Sequence, residues 1–294
     1  MKLTLGPLLY YWKKAHVEAF YEEIADTAVD TVHLGEAVCG KRHELRFEDW
    51  MAIARRLANR GKEVVLSTCE LIESETDLRV LRRVAENGAF MVEANDLGAV
   101  NLLAGKGPYV AGPYLNIYSG LTLDFHRRQG AVRWVPPVEL GASAVGRILA
   151  DYEESIETEV FAYGRLPLAI SARCFTARYN NQSKDDCGFR CIEHSDGMTL
   201  STQDDRPFLA LNGLQTQSAH VQNLAASIAQ MRDMGVGRLR ISPQSQGTAE
   251  VIRLFRRIAD GELDGTAALG QMPVALGEAY CNGFWHGRPG LERH

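Results

Sequence analysis

Residues 29–67 read VDTVHLGEAVCGKRHELRFEDWMAIARRLANRGKEVVLS, and this run predicts a strand, a helix and a second strand in succession. Its middle part carries apolar residues on one helical face from Phe47 to Ala58, and Gly61 suits the left-handed conformation that often ends a helix. The flanking runs, 29–34 and 63–67, are short and rich in β-branched residues. A strand–helix–strand unit of this kind is typical of a parallel sheet.

The same alternation continues along the whole chain and indicates an α/β protein. Eight strands are predicted, at residues 3–5, 29–34, 63–67, 90–92, 109–111, 132–134, 158–162 and 238–241. Apolar residues at three- and four-residue steps predict two late helices, over 221–231 and 251–258. Eight such units favour a TIM-barrel-like (β/α)8 fold over an open doubly wound sheet, for which the sequence offers no dinucleotide or P-loop motif.

The alternation breaks at residues 164–213, where the run YNNQSKDD at 179–186 is polar and has no helical period. Two short runs inside it, 199–202 and 208–211, predict a β-hairpin. We interpret 164–213 as an insertion after the seventh strand of a single barrel-like domain, 1–294, whose C-terminal tail is 263–294.

Composition limits the classes of function. The chain has 294 residues, 46% of them hydrophobic, and a net charge of -5, which argues against a protein that wraps nucleic acid. Its first residues lack the apolar core of a signal peptide, and no apolar run reaches the ~20 residues of a spanning helix. We therefore expect a cytoplasmic protein with no transmembrane segment, whose six cysteines serve ligation or redox chemistry rather than disulfides.

Four of the six cysteines form a candidate metal site. Cys174, Cys187 and Cys191 lie in the insertion with the spacing C-x12-C-x3-C, and Cys39 follows the second strand. In a barrel the carboxyl ends of all strands open onto one face, so the four thiols are expected to converge there. Thiolates suit either zinc or an iron–sulfur cluster, but a ligand so distant in sequence is unlike a zinc ribbon with its two close pairs, which favours the cluster.

The remaining cysteines and the nearby cations allow more than one interpretation. Cys69 ends the third strand and is either a spare ligand or a small buried side chain, and Cys281 is expected to pack in the interior or the tail. Basic residues flank the candidate ligands, where they either offset the negative charge of a cluster or are merely solvated: Lys41, Arg42, Arg173, Arg178 and Arg190.

Several segments resemble the UbiV family of ubiquinone-biosynthesis proteins, which belongs to the collagenase-like peptidase family. The matching segments are LGP at 5–7, LGEAVC at 34–39, RWVPPVEL at 133–140, YGRLPLA at 163–169, SARCFTAR at 171–178 and CNGFW at 281–285. The resemblance implies a barrel-like fold and a [4Fe–4S] cluster. It assigns the cluster ligands to Cys39, Cys174, Cys187 and Cys191, the same four cysteines that the spacing selects.

The resemblance also implies an activity. It implies O2-independent hydroxylation of the ubiquinone ring precursor, in a heterodimer with a UbiU-like protein, with prephenate as the oxygen donor. The catalytic residues stay unknown. Arg173 and Arg178 are candidates for binding a carboxylate through the guanidinium fork, and Asn116 and Glu139 are candidates for contacts to the ring or the donor.

Three alternatives stay open. The family name indicates a peptidase, but neither G-x-S-x-G nor H-E-x-x-H occurs. Relatives of this fold hydroxylate tRNA uridine, which makes RNA a second candidate substrate, although the acidic net charge weighs against it. A zinc-stabilised scaffold without catalytic activity is the third.

Overall fold

The structure is a computed structural model that describes residues 1–150, 156–273 and 280–294. Its strands are β1 Lys2–Leu5, β2 Thr31–Leu34, β3 Glu63–Ser67, β4 Met91–Ala94, β5 Tyr109–Ala111, β6 Ala131–Trp134, β7 Glu157–Ile170, β8 Met198–Ser201, β9 Pro207–Asn212, β10 Gln215–Asn223, β11 Arg238–Ile241 and β12 Tyr280–Cys281. Its α-helices are α1 Lys14–Ala25, α2 Phe47–Asn59, α3 Glu75–Ala85, α4 Leu97–Leu103, α5 Gly120–Arg128, α6 Ala142–Ala150, α7 Phe175–Tyr179, α8 Ile228–Asp233, α9 Thr248–Ala259 and α10 Gly265–Ala268. Short 3-10 helices lie at Pro113–Leu115, Arg190–Glu193, Ala225–Ser227, Leu269–Gln271 and Phe284–His286.

Eight of the strands form a closed parallel barrel. Strands β1 to β6 each pair in parallel with the next strand, and β11 pairs in parallel with both β7 and β1, which closes the ring. The predicted (β/α)8 barrel is therefore confirmed. No helix among the described ranges is both long enough and apolar enough to cross a bilayer.

The predicted strand positions agree closely with the observed ones. The strands at 63–67, 109–111 and 238–241 have their predicted bounds, and three others differ by one or two residues at one end. The strand predicted at 90–92 lies at 91–94. Strand β7 differs most, because it continues to Ile170 instead of ending at 162. Its second half leaves the barrel and pairs antiparallel with β10, which supplies backbone partners beyond the barrel rim.

The segment after the barrel portion of β7 folds as an antiparallel extension of the sheet. Strands β8 and β9 form the predicted hairpin, and β10 then pairs with β9 and β7. The helix predicted over 221–231 is wrong in its first part: Val221 belongs to β10, and α8 begins only at Ile228. The helical spacing arose because Val221 and Ile228 are buried in the same apolar core from two different elements.

The C-terminal tail returns to this extension. Strand β12 pairs in parallel with β10, and the indole Nε1 of Trp285 donates a hydrogen bond of 2.9 Å to Gln230. Within the predicted tail, 263–294, residues 274–279 lie outside the described part of the chain.

Charged side chains line the inside of the barrel, whereas the outward-facing residues of the same strands are apolar and pack against the helices. Arg133 on β6 lies 2.8 Å from Glu63 on β3 and 2.8 Å from Glu157 on β7. Arg238 on β11 lies 2.9 Å from Glu63 and 2.7 Å from Glu157. Since β3 and β6 are not neighbours in the sheet, these side chains meet across the barrel interior.

A second set of polar contacts lies one pleat nearer the carboxyl ends of the strands. Arg240 donates to Glu159 at 2.5 Å and to Glu93 at 2.6 Å, and His33 Nδ1 lies 3.2 Å from Glu93. Ser67 Oγ donates to Glu93 at 2.7 Å. This second set is held by charge-assisted hydrogen bonds whose members are nearly inaccessible to water, at most 4% exposed.

Candidate metal centre at the carboxyl face of the barrel

Cys39 lies in the loop that follows β2, and the loop is shaped by a glycine and a carboxylate. Gly35 has a φ of 124°, and a Cβ there would stand 2.7 Å from the carbonyl oxygen of Ser67, so only glycine lets the loop lie against β3. The Glu36 carboxylate then accepts hydrogen bonds from the backbone N–H groups of Val38 at 3.0 Å and Cys39 at 3.1 Å. These contacts hold Cys39 at the carboxyl face.

The other three candidate ligands come from the segment after β7. Cys174 immediately precedes α7, and its sulfur accepts a hydrogen bond of 3.4 Å from the N–H of Ala177. Cys187 lies in the polar loop that follows, and Cys191 lies in the 3-10 helix Arg190–Glu193. All three thiols are partly exposed, as is Cys39.

Arg42 joins the two segments. Its guanidinium donates to the carbonyl oxygen of Leu9 at 2.8 Å and to Asn212 Oδ1 at 2.8 Å, and it interacts electrostatically with the thiols of Cys39 and Cys191. Cys39 and Cys174 pack on one small apolar cluster that includes Leu9. The buried guanidinium therefore lies where the loop after β2 meets the segment after β7.

Electrostatic interactions connect the four thiols, directly for three of them and through Lys41 for Cys187. Cys191 interacts electrostatically with Cys39 and Cys174, and Lys41 interacts with Cys39 and Cys187. The structure thus brings the four predicted ligands into one neighbourhood. Among the described residues, however, no three or more His, Cys, Asp or Glu side chains are arranged as a group that could hold a metal ion, so a metal centre requires the thiols to draw closer together.

Burial and the nearby cations act in opposite directions on the thiols. Burial raises the pKa of the Cys39 thiol to about 11 and also raises the pKa of Cys191, while Arg42 opposes both increases. Thiols in such surroundings stay protonated at neutral pH until a bound cation displaces the proton. The donor set, four sulfurs beside a guanidinium and an ammonium, is suited to a soft metal centre of net negative charge.

The last two cysteines differ from the four. Cys69 donates a weak hydrogen bond of 3.5 Å to the carbonyl oxygen of Leu71, and burial raises its pKa. Cys281 is 1% exposed in an apolar cluster with Phe161 and Leu166, and burial raises its pKa to about 12. Cys281 is therefore a packing residue, whereas Cys69 remains next to the candidate site.

The candidate substrate residues lie in two places. Arg173 and Arg178 flank Cys174 and are exposed, so both guanidiniums are accessible. Asn116 is exposed after β5 with a left-handed φ of 54°, and Glu139 is exposed after β6 and accepts a hydrogen bond from the Tyr118 hydroxyl. These four residues do not contact one another in any described hydrogen bond or ion pair.

A buried polar cluster at the barrel mouth was missed by the sequence reasoning. Gln215 Nε2 donates to Glu70 at 3.4 Å and to the Tyr114 hydroxyl at 3.2 Å. Burial raises the pKa of Glu70 well above its usual range, and a hydrogen bond from Tyr114 opposes this rise. The available signal was the position of Glu70 just after β3, where barrel enzymes carry functional groups.

Comparisons with known proteins define the family. The model of peptidase family U32 matches residues 13–293. A protein of Porphyromonas gingivalis named collagenase is 24% identical over 268 residues, which cover 82% of this chain and 62% of that protein. The chain thus spans less than two thirds of the length of this curated relative.

Similar solved structures include a U32 peptidase and tryptophan synthase of Mycobacterium tuberculosis. The U32 peptidase is 14% identical, with 84% of this chain and 94% of that chain covered at a TM-score of 0.46. Tryptophan synthase is 12% identical, with 92% and 93% covered at a TM-score of 0.44. Because the family model matches nearly the whole sequence, this chain belongs to peptidase family U32.

Proposed function

We propose that this chain is an iron–sulfur protein whose [4Fe–4S] cluster is held by Cys39, Cys174, Cys187 and Cys191. The observation that carries the proposal is that thiols from the loop after β2 and from the segment after β7 gather around the buried guanidinium of Arg42. When bound, the cluster would supply one-electron transfer. Four cysteine ligands would leave no iron position open for substrate, which favours an electron-transfer or structural role.

The residues around the thiols would offset the negative charge of the cluster and hold its ligands in position. Arg42 would donate a hydrogen bond to the Cys191 sulfur, and Lys41 would place a second positive charge beside Cys39 and Cys187. Hydrogen bonds to ligand sulfurs and nearby cations stabilise the reduced, more negative state of a cluster. The same contacts would hold the segment after β7 against the barrel.

We further propose that the chain acts in the O2-independent ring hydroxylation of ubiquinone biosynthesis, as a heterodimer with a UbiU-like protein and with prephenate as oxygen donor. Membership of family U32 and the resemblance of segments such as 34–39 and 171–178 to the UbiV family support this proposal. In this role the exposed guanidiniums of Arg173 and Arg178 would bind the donor carboxylates. Asn116 and Glu139 would contact the ring or the donor.

Proteolysis is the second candidate function, because the curated relative is named collagenase. Ser67, His33 and Glu93 carry the groups of a hydrolytic triad, but Ser67 Oγ donates to Glu93 at 2.7 Å and lies 3.4 Å from His33 Nδ1. All three are at most 2% exposed inside the barrel, where no peptide reaches them. This geometry favours a structural role for the three residues. Hydroxylation of tRNA uridine, the third candidate, is disfavoured by the net charge of -5.

Anaerobic quinone synthesis tests the proposal. In ubiquinone-producing bacteria that lack both this chain and its UbiU-like partner, restoring the two proteins should restore ubiquinone without O2. Cys174→Ala should fail anaerobically, aerobic synthesis should be unaffected, and Cys281→Ala is the matched control that should restore synthesis. Full anaerobic synthesis with Cys174→Ala would contradict the proposal, as would a homogeneous preparation that cleaves gelatin and loses this activity on replacement of a Ser or Cys outside the four.

A further inference from the structure

A cavity of about 310 Å³ lies between α2 and α3, beside the loops that follow β2 and β3. Phe47 and Trp50 line it from α2, and Leu81 and Val84 line it from α3. The wall near the barrel is mixed, with Leu66 at the end of β3 on its apolar part and Glu36 and Arg42 on its charged part. Concave sites of this size with mainly apolar walls are typical of small-molecule binding.

The volume limits the ligand. A dry aliphatic and aromatic cavity of about 150 Å³ is sufficient to bind benzene. The cavity here has about twice that volume, which is room for one aromatic ring and a short branched aliphatic substituent. A longer apolar chain would have to extend out of the cavity through its mouth.

Charged side chains lie at the mouth of the cavity and in its wall nearest the barrel, whereas the side chains of Phe47, Trp50, Leu81 and Val84 give it apolar walls. Val80 at the rim is 52% exposed, whereas Leu81 in the wall is 3% exposed. The Arg83 guanidinium lies 4.6 Å from the ring centroid of Phe47 and pairs with Glu48. This arrangement suits a molecule with an apolar body inside the cavity.

The wall of the cavity nearest the barrel is the loop that carries Cys39. Gly40 and Arg42 of this loop both line the cavity, and a Cβ at Gly40 would stand 2.1 Å from Asp77 Oδ1 at the start of α3. Arg42 also interacts electrostatically with the thiols of Cys39 and Cys191. A molecule in the cavity would therefore lie against the loop that carries Cys39 and against the guanidinium that interacts with Cys39 and Cys191.

We propose that the cavity between α2 and α3 binds an aromatic ring that carries a branched aliphatic substituent. The walls select an apolar body, the volume admits a ring with its first substituent, and the open rim at Val80 gives a longer chain a path outward. This inference rests on the proposed function, in which such a molecule is the ring substrate. It adds the place where the ring binds.

Calorimetric titration with 2-geranylphenol tests the site. Val84→Trp places an indole in the cavity and should weaken binding at least about tenfold, which corresponds to ~1.4 kcal/mol. Val132→Trp is the matched control, since Val132 is 46% exposed and does not line the cavity, and it should bind within about twofold of the wild type. Val80→Arg, at an exposed position that tolerates charge, should also weaken binding.

The outcomes separate this inference from the proposed function. Equal binding by the wild type, Val84→Trp and Val80→Arg would overturn the inference, even if the protein retained iron and supported quinone synthesis. Decanoic acid that bound as tightly as 2-geranylphenol would overturn the assignment of an aromatic ligand. Binding that is lost only in Val84→Trp and Val80→Arg would support the cavity even in a protein that proved inactive in quinone synthesis.

Discussion

The barrel interior and the segment that carries Cys187 and Cys191 are both rich in polar residues, but they are held in opposite ways. Inside the barrel, the guanidinium of Arg240 and its carboxylate partners Glu93 and Glu159 are at most 4% exposed and satisfy one another. From residue 178 to residue 209, by contrast, no residue is buried. The barrel is therefore stabilised by its own buried side chains, whereas the segment has no core of its own. Under the proposed function, a cluster bound to Cys187 and Cys191 would hold it.

This difference separates two kinds of perturbation. Loss of a barrel charge should reduce the stability of the whole fold, because its partners remain buried without a counter-charge. Loss of a thiol should leave the barrel folded and remove only the bound group, because the four cysteines lie at the carboxyl face. The predictions below rank the perturbations from the largest expected effect to the smallest.

The largest effect is expected from the cysteines. Replacement of any one of Cys39, Cys174, Cys187 or Cys191 by Ala should lower the iron content of anaerobically purified protein at least about tenfold, since a cluster with three protein ligands is held less tightly. Circular dichroism should show an unchanged barrel. Cys281→Ala should retain iron. Iron retained at the wild-type level in all four variants would contradict the assignment of these cysteines as ligands, and with it the distinction between the two regions.

Arg240→Met tests the barrel. It leaves Glu93 and Glu159 buried without their guanidinium and should lower the free energy of unfolding by about 3–5 kcal/mol, as measured by denaturant titration. Arg253→Met removes an exposed ion pair with Glu250 and should change the free energy of unfolding by no more than about 0.5 kcal/mol. Similar losses in the two variants would contradict a barrel held by its interior charges.

Acid should weaken the barrel through Glu63. Burial favours a higher pKa for this carboxyl, but hydrogen bonds from Thr31 and Arg133 lower it to about 2. Because the folded pKa lies below the unfolded one, the contribution to stability is present above pH ~4.5 and is lost as the pH falls towards about 2. After allowance for partial solvent screening, we expect the Glu63 carboxylate to contribute about 1–2 kcal/mol to the free energy of unfolding.

Glu63→Gln checks the assignment of this pH dependence. The variant should be less stable than the wild type at pH 7, and the difference should shrink as the pH falls from about 5 to 2, because the wild-type carboxylate becomes protonated. Unfolding should be followed by circular dichroism in denaturant at each pH. A difference between the two proteins that stayed constant over this range would show that the Glu63 charge is not involved.

The smallest effect concerns the start of α3, next to the loop of Cys39. The Ser74 hydroxyl accepts a hydrogen bond of 3.2 Å from the N–H of Asp77. Ser74→Ala should lower the free energy of unfolding by about 1 kcal/mol, whereas Ser74→Thr should keep most of the stability of the wild type. Equal losses in both variants would indicate that the cap does not stabilise the helix.

The sequence predicted the barrel well because each strand–helix unit has its own local pattern. The strand at 63–67 and the helix that begins at Phe47 are bounded by residues whose preferences agree with the fold. Strand β10 was missed in favour of a helix from 221, because apolar spacing records burial and not the element that is buried. The interior ion pairs were missed because charged residues such as Glu159 and Arg240 meet only when the barrel closes.

The site was predictable to a smaller degree. Cysteine spacing selected the four candidate thiols, because soft ligands are rare in a sequence. Their role as ligands of one metal centre stays a prediction. The Glu70, Tyr114 and Gln215 cluster could not be found in the same way, since its members come from three segments and each residue type is common on surfaces. The cavity between α2 and α3 depends on the packing of two helices and has no local sequence pattern.

Iron and acid-labile sulfide in the anaerobically purified complex with the UbiU-like partner test the central claim most directly. With the iron and sulfide of the partner subtracted, the account predicts about four of each per chain, and a loss of both in Cys187→Ala. A colourless protein that contains stoichiometric zinc and no sulfide would contradict it.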